Sequence, residues 1–212
     1  MIQIYYTQSR SMLSKPAWDR YLMKVPQSVR DRISRYRRWE DRQAGLFGKL
    51  LLREGLMRWG YPDGHLRHLV WDAAVRPFLD LRMDFNISHS GEYVVCALCP
   101  SGRVGIDIEE LRPIEIVDFR AQMTCGQWKA ITASKNRLKT FFSLWTQKEA
   151  VVKADGRGVG LPLDEIVVTA GKAILGNAIW EVGQVRIAEG YCCHLATNIL
   201  NQEINIEQIR YG

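Results

Sequence analysis

The chain has 212 residues, 47% of them hydrophobic and 25% charged, which is long enough for one substantial core or two half-sized lobes and too apolar for intrinsic disorder. No apolar run approaches the length of a membrane helix, and Met1 to Arg10 alternates where a secretory signal needs an unbroken apolar stretch, so a cytoplasmic protein is expected. A formal charge of +6 and a pI near 9.1 favour an anionic partner.

In chain order, the alternation of Met1 to Arg10 predicts a strand. Arg30, Arg32, Arg35, Arg37, Arg38 and Arg42 then crowd together, which reads either as a solvated helix face or as an anion-binding surface. From Ser34 to Trp59, the spacing of Trp39, Leu46, Phe47, Leu50 and Met57 predicts a long amphipathic helix. Gly60, Pro62 and Gly64 end it. After an irregular stretch holding Arg76 and Pro77, two runs, Tyr93 to Leu98 and Arg103 to Glu109, predict strands joined as a hairpin through Pro100, Ser101 and Gly102. A second helix is expected from about Thr140 to Ala154, then strands near Ile166 to Val168, Gln184 to Ala188 and Tyr191 to Ala196. Gly91-Glu92-Tyr93-Val94 resembles Glu189-Gly190-Tyr191-Cys192, so the second half repeats the order of the first. This predicts an α+β chain of two similar α/β lobes, residues 1–102 and 103–212. The five cysteines lack a disulfide spacing, and Cys96 and Cys99 have no second pair to complete a zinc site, so all are read as structural thiols in a reducing compartment.

Two places carry chemistry. On a strand, Gly105, Asp107 and Glu109 share one face, and neighbouring carboxylates rest there only if they face solvent or share a cation. On the second helix, Phe142, Trp145, Glu149 and Val152 recur at helical spacing. That turns Glu149 inward, while Lys153 one turn later offers an ordinary ion-pair partner. Three such carboxylates give an oxygen-only donor set of the kind magnesium takes.

Phe85-Asn86-Ile87-Ser88-His89-Ser90-Gly91, Val104-Gly105-Ile106-Asp107-Ile108-Glu109 and Trp145-Thr146-Gln147-Lys148-Glu149-Ala150-Val151-Val152-Lys153 resemble, in order and separation, three motifs of the 4′-phosphopantetheinyl transferases of the surfactin-synthetase-activating type. The resemblance covers about residues 35–163. It implies two pseudo-twofold lobes with the active site between them, and transfer of the phosphopantetheine arm of coenzyme A to a serine of an apo acyl or peptidyl carrier protein. Asp107, Glu109 and Glu149 would hold Mg2+, with Glu149 and Lys153 catalytic. Ser88 and His89 would hold the 3′-phosphate end of coenzyme A, and Arg76 and Pro77 the nucleotide, with Arg32 and Arg42 near its phosphates. Val75 departs from the family pattern, which has glycine there. A monomer without nucleic-acid or membrane partners is implied. Two rivals explain less: a non-catalytic carrier-binding module has no need of the carboxylates and Lys153 together, and a metal-dependent nuclease leaves Asn86-Ile87-Ser88-His89 without a purpose.

Overall fold

A computed structural model describes residues 1–71, 76–79, 82–158 and 160–211. Val75 lies outside them. The chain divides into two compact units, Met1–Asp72 with Pro77–Ser101 and Gln202–Gly212, and Ala73–Arg76 with Gly102–Asn201.

The first unit opens with β1 (Ile2–Gln8), followed by α1 (Lys15–Leu22), α2 (Gln27–Ser34) and α3 (Trp39–Arg58). Ser14 starts α1 by accepting the Ala17 N–H, with proline in the first turn. The predicted long helix is α3, which starts at Trp39 rather than at Ser34, and a break at Arg35 to Arg38 separates it from α2. Arg42 holds that break by donating to the carbonyls of Tyr36 at 3.0 Å and Arg37 at 2.9 Å. α3 buries Leu46, Phe47, Leu50, Leu51, Leu52 and Leu56, whereas Met57 is exposed. It packs on a sheet of order β2-β3-β1-β9, with β2 spanning Asp84–Ser90, β3 Tyr93–Cys99 and β9 Ile204–Gln208. β2 and β3 form a hairpin, β3 runs antiparallel to β1, and β9 returns from the far end of the chain to lie parallel to β1. Both neighbours of β3 are thus taken.

In the second unit β4 (Val104–Glu110) pairs with β8 (Tyr191–Thr197), in a five-stranded sheet ordered β4-β8-β7-β6-β5. The expected hairpin between the Tyr93 and Arg103 runs does not form, because each run joins a different sheet. The remaining strands are β5 (Val167–Thr169), β6 (Lys172–Leu175) and β7 (Ala178–Gln184), so the strand sought at Gln184 to Ala188 lies earlier, where Trp180 and Val182 point into the core. α4 (Cys125–Ala133) starts on a capping box between Thr124 and Gln127. α5 (Arg137–Asp155) starts on Asn136, which accepts the Lys139 N–H at 3.0 Å, and stops at Gly156 in the left-handed region (φ 81°). It lies across β4 and β8. Gly105 permits this, because the place a side chain would take is filled by the backbone of Ala150 and Ala154. In each unit a seven-residue strand following a glycine, β3 or β8, sits under the unit's long helix, the order the internal repeat anticipates. Among the described residues no helix is long and apolar enough to cross a membrane.

Candidate active site

The face of β4 that carries Gly105 turns toward α5, so strand alternation delivers Asp107 to the same helix. Asp107 is 3% exposed. Its Oδ1 accepts from Lys153 Nζ at 2.6 Å, so the ion pair of Lys153 runs across to the strand. Glu109, two residues on, is half-buried on that same face. Glu149 stands one helical turn before Lys153 and is half-buried too.

Burial raises the carboxyl of Glu149 above its ordinary range; Asp107 adds to this, Lys153 opposes it and Glu109 adds a smaller push. The three carboxylates therefore feel one another's charge. Replacing Asp107 by asparagine removes one negative neighbour and frees Lys153 to act on Glu149 alone, so the Glu149 pKa is expected to fall. Carboxyl carbon shifts followed through a pH titration of the metal-free variant would show this, and an unchanged or higher midpoint would break the proposed coupling.

Arg76, Glu149 and Lys153 line one cavity of about 320 Å3, closed by Gly156, Gly158 and Leu161. Arg76 is fixed by its Nη1, which donates to the carbonyls of Val104 and Lys153, each at 2.6 Å. It thereby ties β4 to the end of α5 while presenting positive charge to the cavity.

Among the described residues, no three histidine, cysteine, aspartate or glutamate side chains converge enough to hold a metal ion unaided. The donors nevertheless fit a hard divalent cation: they are all oxygens, and their mutual repulsion is relieved by positive charge, which Lys153 supplies to Asp107. Magnesium in particular relies on a few carboxylates completed by water and substrate phosphates rather than on an all-protein cage.

The other expected residues lie in the first unit. Pro77 and His89 line a second cavity, with His89 exposed and Ser88 buried on β2. Arg32 lays its guanidinium over the Trp71 ring, 5.4 Å from the centroid. Arg42 borders a different cleft with Trp18 and Trp39, apart from the one that His89 lines.

Three features escaped the sequence reading. Lys148 is fully buried and donates to the carbonyls of Gln122 at 2.6 Å and Leu163 at 2.8 Å, pinning both segments to α5; burial lowers its pKa to about 8. His194, opposite Asp107 on β8, meets Thr146 Oγ1 through Nδ1 at 2.7 Å, and burial lowers its pKa to about 4, so the ring is neutral. Lys49 lines the cavity of His89. A lone lysine inside the run Leu46-Phe47-Gly48-Lys49-Leu50-Leu51-Leu52 was the available signal for the last.

The profile of the 4′-phosphopantetheinyl transferase superfamily matches residues 103–196, and that of the 4′-phosphopantetheinyl transferase N-terminal region matches residues 12–101. Among relatives, the 4′-phosphopantetheinyl transferase gsp of Aneurinibacillus migulanus is 26% identical over 99% of this chain and 93% of its own length. A 4′-phosphopantetheinyl transferase of Bacillus subtilis is 30% identical over 79% of this chain and 76% of its own. The human L-aminoadipate-semialdehyde dehydrogenase-phosphopantetheinyl transferase is 28% identical over 72% and 55%. Among solved structures, the holo-[acyl-carrier-protein] synthase of Thermotoga maritima aligns with 45% of this chain and 61% of its own, at 17% identity and a TM-score of 0.37.

Proposed function

The chain belongs to the 4′-phosphopantetheinyl transferases, and from that membership we propose that it moves the phosphopantetheine arm of coenzyme A to a serine of an apo acyl or peptidyl carrier protein, with Asp107, Glu109 and Glu149 as the Mg2+ site. The observation that carries this reading is the array in which Glu149, Asp107 and Glu109 couple electrically beside Lys153 and Arg76. In the reaction the serine Oγ bonds to the β-phosphorus, the bond from that phosphorus to the bridging oxygen breaks, and 3′,5′-ADP departs. The Glu149 carboxylate takes the serine proton. The Lys153 ammonium faces the phosphates and balances the negative charge that gathers on the departing group. Arg76, held by two carbonyls, keeps a fixed positive charge on the same cavity. Mg2+, when bound, supplies charge neutralisation at the phosphoryl oxygens.

The net positive charge suits both coenzyme A and an acidic carrier, drawing each in by long-range attraction. Work in the cytoplasm agrees with the free state of all five cysteines, four of them buried.

The test is to incubate the protein with coenzyme A, Mg2+ and a panel of apo carriers and to read intact carrier mass. A gain of one phosphopantetheine group on at least one carrier is expected, lost after thorough chelation and restored by added Mg2+. Transfer that survives chelation would remove the metal from the mechanism.

A further inference from the structure

We propose that His194, which no motif marks, is a positioning residue for transfer: its hydrogen bond to Thr146 seats α5 on β8 and thereby holds Glu149 in place beside the carboxylates of β4. The consequence for transfer rests on the transferase reading; the seating of the helix does not.

Thr146, Glu149 and Lys153 fall at helical spacing on one face of α5. The helix lies on β4 and β8, and much of what it meets there has no direction: Ala150 and Ala154 close on Gly105, and Val151 and Phe142 pack among apolar side chains. Apolar contact rewards burial but tolerates a slide or a roll, whereas a hydrogen bond weakens steeply off its line. The C-terminal end of α5 has directed contacts, from Lys153 to Asp107 and from Arg76 and Arg103 to the carbonyls of Lys153 and Ala154. About two turns earlier, Thr146 adds another, to the histidine that stands opposite Asp107 in the register of β4 and β8. Two fixed points set both the slide and the roll of a rigid helix, and Glu149 lies between them. Lys148 binds the carbonyls of Gln122 and Leu163, which ties two loops to the helix and adds no hold on the sheet.

Thr146 is fully buried and His194 is 5% exposed, so water does not compete for the bond. The Thr146 hydroxyl has a single hydrogen. Given to the Phe142 carbonyl at 2.8 Å, it leaves the oxygen to accept from His194 Nδ1–H at 2.7 Å. The neutral ring then carries its hydrogen on Nδ1. A leucine in the same place would fill the space without fixing the helix.

The experiment compares the full chain as wild type, Thr146→Val, Thr146→Ser, His194→Leu and the double variant Thr146→Val with His194→Leu. Melting curves, kcat and KM for coenzyme A in transfer to one apo carrier well below the melting temperatures, and crystal structures of wild type and Thr146→Val are the readouts. Valine keeps the shape of threonine, and the double variant leaves neither partner of the bond behind, so it is expected to melt within about 4 °C of wild type. In each variant that breaks the bond, kcat is expected to fall about ten- to hundredfold while KM for coenzyme A holds, because a helix shifted by on the order of 1 Å misplaces the reacting groups. The double variant is expected to be no slower than the slower single one, since both remove the same bond. Thr146→Ser keeps the hydroxyl and should keep the rate. The Thr146→Val structure is expected to show Glu149 moved relative to Asp107. Losses that multiply in the double variant, a rate that recovers with its melting temperature, or a Glu149 that has not moved would overturn the proposal. If wild type transferred to no carrier, the transferase reading would fall, and the Thr146→Val structure alone would decide whether the bond seats α5.

Discussion

Gly105→Ala is expected to destabilise the protein by on the order of 3 kcal/mol, a drop in melting temperature of roughly 6–12 °C for a chain of this size. The added methyl would fall on the carbonyl oxygen of Ala150 and the backbone nitrogen of Ala154, and sit 3.0 Å from the Ala154 Cα. None of these is a side chain that can turn away. Relief requires α5 to lift from β4, and that is the packing which sets Lys153 against Asp107. Transfer activity should therefore fall along with stability. Gly183→Ala, also on a strand but with nothing within 4 Å of its added methyl, is the control, expected to stay within about 0.5 kcal/mol of wild type. If both variants melted alike, the close approach at Gly105 would not be what holds the helix down.

What the sequence made legible follows from how far each interaction reaches. Asp107 and Glu109 declared a shared face because strand alternation is local, and Glu149 and Lys153 declared theirs through one helical turn. The pairing of Lys153 with Asp107 joins residues 46 positions apart, and no local period encodes it. The mistaken hairpin has the same origin: turn residues between Cys99 and Val104 announce a reversal but not which strands will pair afterward. Registers such as Asp107 opposite His194 are settled by whole-sheet packing. The short helices α1, α2 and α4 carry too few turns for a firm period, though Ser14 with Pro16 and Thr124 with Gln127 were visible as starting signals. Lys49 and Lys148 were overlooked because a lysine in an apolar stretch reads as a break in the pattern. In the fold one lines a cavity and the other is bound to two carbonyls.

Lys153→Met is expected to reduce single-turnover transfer by roughly a hundredfold or more while coenzyme A still binds, since an ammonium that meets growing charge on the leaving group acts mainly in the transition state. The same substitution carries a structural cost. Asp107 is 3% exposed, and taking away the ammonium that bonds its Oδ1 at 2.6 Å leaves a buried carboxylate poorly compensated, a loss of about 3–5 kcal/mol for a buried pair of this kind in the metal-free protein. The two effects separate in the double variant Lys153→Met with Asp107→Asn. With no buried charge to satisfy, stability should return toward wild type; transfer should not, because neither the ammonium nor the carboxylate is restored. Lys153→Arg keeps the charge and can still reach Asp107, so it should recover stability better than rate, its planar fork replacing a compact ammonium poorly beside the phosphates. Melting curves of the metal-free proteins and single-turnover transfer to one apo carrier, measured on wild type and the three variants, give the answer. If Lys153→Met, assayed well below its melting temperature, transferred at nearly the wild-type rate, Lys153 would be a structural counter-ion for Asp107 and the departing phosphate would be left to Arg76 and the metal.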